Sequence, residues 1–171
     1  MLGWFAAGLA AGGLLTGCVL WLLSGLAAPV PLAWREAAVV VLAAAGIARD
    51  AGVLPVRLPQ NARQIPREVL QTRLLRGTFR FGFELGTGVR TYVPATAPYV
   101  VALAVLLVSG GVIAALSAGL GFGAGRALTP VLRYASGDGA WWDHQVQVQR
   151  GWLTVGTAVA VTVLLGIALL T

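Results

Sequence analysis

The sequence contains no lysine, and cysteine and histidine occur only once each, as Cys18 and His144. Within one chain, a single cysteine and a single histidine exclude a disulfide framework, a dithiol pair, a Cys/His zinc site and a bis-histidine haem site. The chain also has only six acidic residues, which leaves few carboxylates for general acid–base chemistry. We therefore expect a protein that is not an enzyme and that binds no cofactor or metal.

Charged residues as a class are scarce. They make up 11% of the 171 residues, against about 25% in a typical soluble domain, whereas 58% are hydrophobic and the mean hydropathy is +0.83. The composition predicts an all-α integral membrane protein. All twelve basic residues are arginine and the net charge is +6, which the positive-inside rule explains without a nucleic-acid partner.

Uncharged stretches predict about five transmembrane helices in a single domain over 1–171. A crossing needs about 20 apolar residues, because the hydrocarbon core is about 30 Å thick and a helix rises 1.5 Å per residue. The 35 uncharged residues at 91–125 are too many for one crossing, so we expect a break at Ser109-Gly110-Gly111. The predicted spans are 2–28, 34–54, 79–109 (interrupted), 112–130 and 151–171.

The arginines also predict the topology. Two basic loops, 55–78 and 131–150, fall on one side if the N-terminus lies inside, as expected for the cytoplasmic membrane of a prokaryote. After Pro66 the first loop predicts an amphipathic helix on an anionic lipid surface or a partner protein, although a simple solvated loop fits equally well. The arginines expected to contact lipid or a partner there are Arg63, Arg67, Arg73 and Arg76.

The stretch 79–94 differs from an ordinary membrane helix. Gly86-Thr87-Gly88 and Pro94 predict a discontinuous helix, and charged side chains at depth are retained where they pair or face a cavity. Arg80 and Glu84 are four residues apart and can pair on one helical face. The predicted substrate-binding residues are Glu84, Thr87, Arg90, Thr91 and Tyr92. The alternative is that the charges lie at the membrane interface and the glycines serve packing.

Glycines recur at four-residue spacing, a pattern that lets membrane helices approach closely. Five such pairs predict tight helix contacts and favour a homo-oligomer or a complex with another membrane protein. The pairs are Gly8/Gly12, Gly13/Gly17, Gly82/Gly86, Gly119/Gly123 and Gly121/Gly125.

The order of elements over 79–132 resembles the repeat unit of the CcdA/DsbD-type thiol-electron transporters, within the wider group of small LysE-like exporters. The resemblance covers about a third of the chain: a Gly- and Pro-broken stretch (82–94), a Gly110-Gly111 turn, and a glycine-rich span ending at Pro130. It implies a transporter-like scaffold with a broken or re-entrant helix. Thiol transfer is not implied, because 89–94 contains no cysteine.

These observations predict a small helical transporter or permease-like protein with a polar site at the broken helix. The competing hypothesis is a non-catalytic membrane subunit or assembly factor of a larger complex. An enzyme acting on lipid head groups would need a nucleophile or base, and the lone His144 lies in a polar loop.

Overall fold

The described parts of the chain fold into helices. The computed structural model describes residues 1–58, 74–89, 91, 93–108 and 110–170, and all regular structure in these ranges is helical. A short 3-10 turn, Gly25–Ala27, follows the first helix. The α-helices are α1 (Leu2–Ser24), α2 (Leu32–Asp50), α3 (Leu74–Gly86), α4 (Ala97–Val108), α5 (Gly111–Ala135) and α6 (Gly139–Leu170).

Three stretches are long and apolar enough to cross a membrane: α1 with its 3-10 turn, α5, and α6 as far as Ile167. The all-helical architecture and these spans agree with the prediction of a membrane protein. Helix α2 has 19 residues but carries two charges at each end, and α4 is apolar but has only 12 residues, fewer than the roughly 20 that one crossing needs.

A helix boundary falls in the gap between the first two predicted spans, and another falls at the predicted glycine break, where α4 ends at Val108 and α5 begins at Gly111. Pro31 immediately precedes α2, where its fixed φ of −54° suits the entry to a helix. Between α4 and α5, Gly111 has a φ of +84°, a left-handed conformation that other residues rarely adopt. The chain therefore reverses at the glycine pair Gly110-Gly111, as the length of the uncharged stretch required.

The helix boundaries beyond residue 128 differ from the prediction. Helix α5 continues through Pro130 to Ala135, since a proline removes only one hydrogen bond of the ladder and here does not end the helix. Most of the predicted loop 131–150 is also helical, because α6 begins at Gly139. Asp138 caps α6, its Oδ1 accepting hydrogen bonds from the backbone N–H groups of Ala140 and Trp141 at 2.9 and 3.0 Å.

Helix α1 lies at the centre of the packing, with α3 against one face. A side chain at Gly8 or Gly12 would meet backbone atoms of Phe79 and Phe83. Reciprocally, a side chain at Gly82 or Gly86 of α3 would meet the backbone of α1. The two helices are thus in backbone contact, which only residues without a Cβ permit.

The opposite face of α1 contacts α5 in the same way. A Cβ on Gly13 would meet the backbone of Gly119, a Cβ on Gly119 would meet that of Gly13, and Gly17 faces Ala115. Four of the five predicted glycine pairs therefore make close helix contacts. Gly121 and Gly125 of the fifth pair face open space.

Candidate functional site

The segment 87–96 lies between α3 and α4, and its described residues, 87–89, 91 and 93–96, are not helical. At its start the Thr87 hydroxyl donates to the Glu84 carbonyl at 2.8 Å, and Gly88 has a φ of +72°. The Thr16 hydroxyl of α1 lies 3.0 Å from the Thr87 carbonyl oxygen and 3.1 Å from that of Gly12, and can donate to one at a time. These contacts satisfy backbone groups that the end of α3 leaves free, so the interruption is held in place.

At the other end of this segment, Asp50 of α2 holds the start of α4. Its Oδ2 accepts hydrogen bonds from the Thr96 N–H at 2.9 Å and from the Thr96 hydroxyl at 2.6 Å, while its Oδ1 pairs with Arg49 at 2.8 Å. The Asp50 side chain is only 1% exposed. Arg49 also donates to the Pro94 carbonyl at 2.5 Å. A carboxylate from a different helix thus supplies the N-terminal cap of α4.

The far end of α4 also contacts α2. Arg35, near the start of α2, donates to the Leu107 carbonyl at 3.0 Å, one of the last four carbonyls that lack a partner within α4. The charges near the two ends of α2 therefore hold both ends of a short apolar helix.

A second polar contact joins the segment to α5. Arg126 donates to the hydroxyl of the buried Thr91 at 2.6 Å, and its guanidinium carbon lies 5.6 Å from the centroid of the Phe122 ring. The ring in turn faces Gly88, whose Cβ position would lie 3.6 Å from it. Arg126 was not among the predicted site residues. The sequence marks Arg126 in one way, because it is the charged residue that directly follows the uncharged run 91–125.

The segment borders an apolar cavity of about 660 Å³. Helices α1, α4, α5 and α6 supply the remaining walls, and polar side chains reach it only sparsely. Residues that line it include Thr16, Thr87, Gly88, Val93, Tyr99, Ala102, Ala118, Phe122 and Thr157. The cavity volume lies within the range of about 300–1,000 Å³ that is usual for binding sites of single small ligands.

The predicted site residues take different positions. Glu84 pairs with Arg80 at 3.2 Å, as the four-residue spacing predicted. Thr87 lines the cavity and Thr91 binds Arg126, whereas Glu84 is not among the residues that line the cavity. Arg76 is exposed on α3. The remaining predicted residues lie outside the described residues: Arg63, Arg67, Arg73, Arg90 and Tyr92.

Within the part of the chain that the structure describes, no group of three or more His, Cys, Asp or Glu side chains could hold a metal ion. Comparison with protein-family models, curated proteins and solved structures gives no match.

Proposed function

We propose that this protein is a small membrane transporter and that the cavity beside 87–96 is its binding site. The observation that carries the proposal is the position of the cavity, directly against a segment where the backbone leaves helical geometry. Interrupted helices at membrane depth are tolerated where they are buried in protein or line a cavity, and transporters place their sites there. The resemblance to the CcdA/DsbD-type scaffold agrees with this interpretation.

The proposed membrane arrangement has five crossings, with the N-terminus inside the cytoplasmic membrane of a prokaryote. In it, α1, α2, α5 and α6 each cross once, and α3, the segment 87–96 and α4 together form one discontinuous crossing. Arg35 and Asp50, near the two ends of α2, bind the two ends of α4. These contacts support the arrangement, because α4 alone is too short to cross. The basic residues of 55–78 and 131–150 then lie on one side.

Transport requires that the cavity open to each side of the membrane in turn, which cysteine labelling tests. Replacing Cys18 by serine removes the only cysteine, and Ala118→Cys in that background places one thiol in the cavity. We expect an impermeant maleimide to modify this thiol in proteoliposomes when added outside, and also when enclosed inside. The fraction of protein labelled is read by intact-mass spectrometry.

Two other cysteine positions serve as controls for this labelling. Ser136→Cys, in the short link between α5 and α6, should label from one side only, and this also reports the orientation. Ala43→Cys, at a buried position of α2 away from the cavity, should label from neither side. If Ala118→Cys reacts from only one side, or not at all, in protein that remains monodisperse, the transporter proposal is wrong.

The second candidate is a non-catalytic subunit that binds another membrane protein. It is favoured by the open face of α5, where a Cβ at Gly121 or Gly125 would meet no described atom within 4 Å although the other glycine pairs contact a helix. Close packing of a helix from a second chain would fill such a face. A stable heteromeric complex in mild detergent, without labelling of Ala118→Cys from both sides, would favour this candidate over transport.

A further inference from the structure

Arg126 is a half-buried cation in a candidate membrane span. Its guanidinium carries five N–H donors, and its contacts within the described residues are one threonine hydroxyl and one aromatic ring. The salt bridges among these residues involve other arginines, namely Arg49, Arg80 and Arg133. A cation removed from water is costly without an anion beside it, and this fold supplies no carboxylate to Arg126 from its described residues.

This cation lies beside the wall of the apolar cavity. Phe122, over which the guanidinium lies, lines the cavity, as do Val89 and Val93, whereas Arg126 and the Thr91 that accepts its hydrogen bond do not line it themselves. An apolar volume with a guanidinium next to its wall, and no carboxylate on that guanidinium among the described residues, has the charge and polarity pattern of an amphiphile with an anionic head.

We infer that the cavity binds a single-chain anionic amphiphile, with its hydrocarbon chain in the cavity and its phosphate or carboxylate group at Arg126. This inference rests on the proposed function, because it names the ligand class of the same site. An arginine binds either anion through two parallel N–H donors, and the Thr91 hydroxyl offers one more polar contact. The cavity volume of about 660 Å³ suits one small ligand.

The test is photolabelling of the full-length protein in lipid nanodiscs with hexadecyl phosphate that carries a diazirine in its chain. Adducts are mapped by peptide mass spectrometry. We expect them on the cavity-lining residues of α4 and α5, which are Val101, Ala102, Val105, Ala118, Gly119, Gly121 and Phe122. Unlabelled hexadecyl phosphate should compete, whereas inorganic phosphate, which lacks the chain, and hexadecanol, which lacks the charge, should not.

Arg126→Gln should weaken competition by hexadecyl phosphate by about tenfold or more, which is the usual effect of losing one charge-assisted hydrogen bond. Arg126→Lys keeps the charge and should retain part of the affinity. Arg133→Gln is the matched control on the same helix, because Arg133 is exposed and pairs with Asp143, and it should leave competition unchanged. Ala118→Trp and Ala102→Trp fill the cavity from two helices and should each abolish the adducts.

Equal competition by hexadecanol, or an unchanged response in Arg126→Gln, would overturn the assignment of Arg126 to the head group. Adducts confined to the outer lipid-facing surface would show that bulk lipid, and no bound ligand, was labelled. Cross-linked pairs of chains without cavity adducts would show that a second protein covers the cavity. Photolabelling measures binding and does not depend on transport. Cavity adducts in a protein whose Ala118→Cys labels from only one side would keep this inference and reject the transporter.

Discussion

Replacing Asp50 by alanine is expected to lower the free energy of unfolding by about 3 kcal/mol, the lower part of the range for breaking a buried ion pair. The Asp50 carboxylate is 1% exposed and accepts hydrogen bonds from Arg49 and from two groups of Thr96. Its loss leaves the Arg49 cation, 23% exposed, without this anion, and it removes the acceptor of the Thr96 N–H just before α4. The segment 87–96 then loses the contact that fixes its end.

Unfolding of purified protein in bicelles, followed by circular dichroism, measures this change. Asp50→Asn keeps one acceptor oxygen and should lose less stability than Asp50→Ala. The matched control is Asp143→Ala, because Asp143 also pairs with an arginine but on an exposed surface, where ion pairs contribute little. If Asp50→Ala and Asp143→Ala have the same small effect, Asp50 does not hold α4.

A single methyl group at the contact between α1 and α5 has the second large effect. Gly119→Ala places a Cβ against the backbone of Gly13, and backbone atoms cannot move aside as a flexible side chain does. Overpacking of this kind costs about 1–3 kcal/mol, and we expect the upper part of that range. The measurement is the midpoint of thermal unfolding in mild detergent.

Gly125→Ala, six residues further along the same helix, is the matched control. A Cβ at Gly125 meets nothing within 4 Å, and alanine is favoured over glycine in a helix by about 0.5–1 kcal/mol. The two substitutions are therefore expected to act in opposite directions, Gly119→Ala lowering the midpoint and Gly125→Ala raising or preserving it. Equal stabilisation by both would contradict the close contact of α1 with α5.

Local patterns predicted much of this fold because each depends on neighbouring residues. The four-residue spacing predicted both the pair Arg80–Glu84 and the glycine contacts of α1, and the glycines at 110–111 predicted the reversal before α5. Hydropathy located the helices that are long enough to cross a membrane. It gave poor helix boundaries near Pro130, because a helix can extend beyond the apolar stretch that hydropathy measures.

The site contacts could not be predicted in this way. Asp50 and Thr96 are 46 residues apart, and Thr91 and Arg126 are 35 apart, so no helical or strand periodicity relates either pair. The polar residues around Thr87 and Thr91 drew attention to this stretch, but not to the residues that contact it. Its partners became apparent only when the packing of α2 and α5 against it was known.

Transbilayer movement of tritiated hexadecyl phosphate in proteoliposomes tests the central claim, transport through this cavity, most directly. Albumin added outside extracts only the molecules exposed in the outer leaflet, so the rate of extraction of the remainder reports movement across the membrane. We expect wild-type protein to accelerate this rate, and Ala118→Trp and Arg126→Gln to return it to that of protein-free liposomes. A wild-type rate equal to that of protein-free liposomes, in protein that binds the probe, would contradict the account.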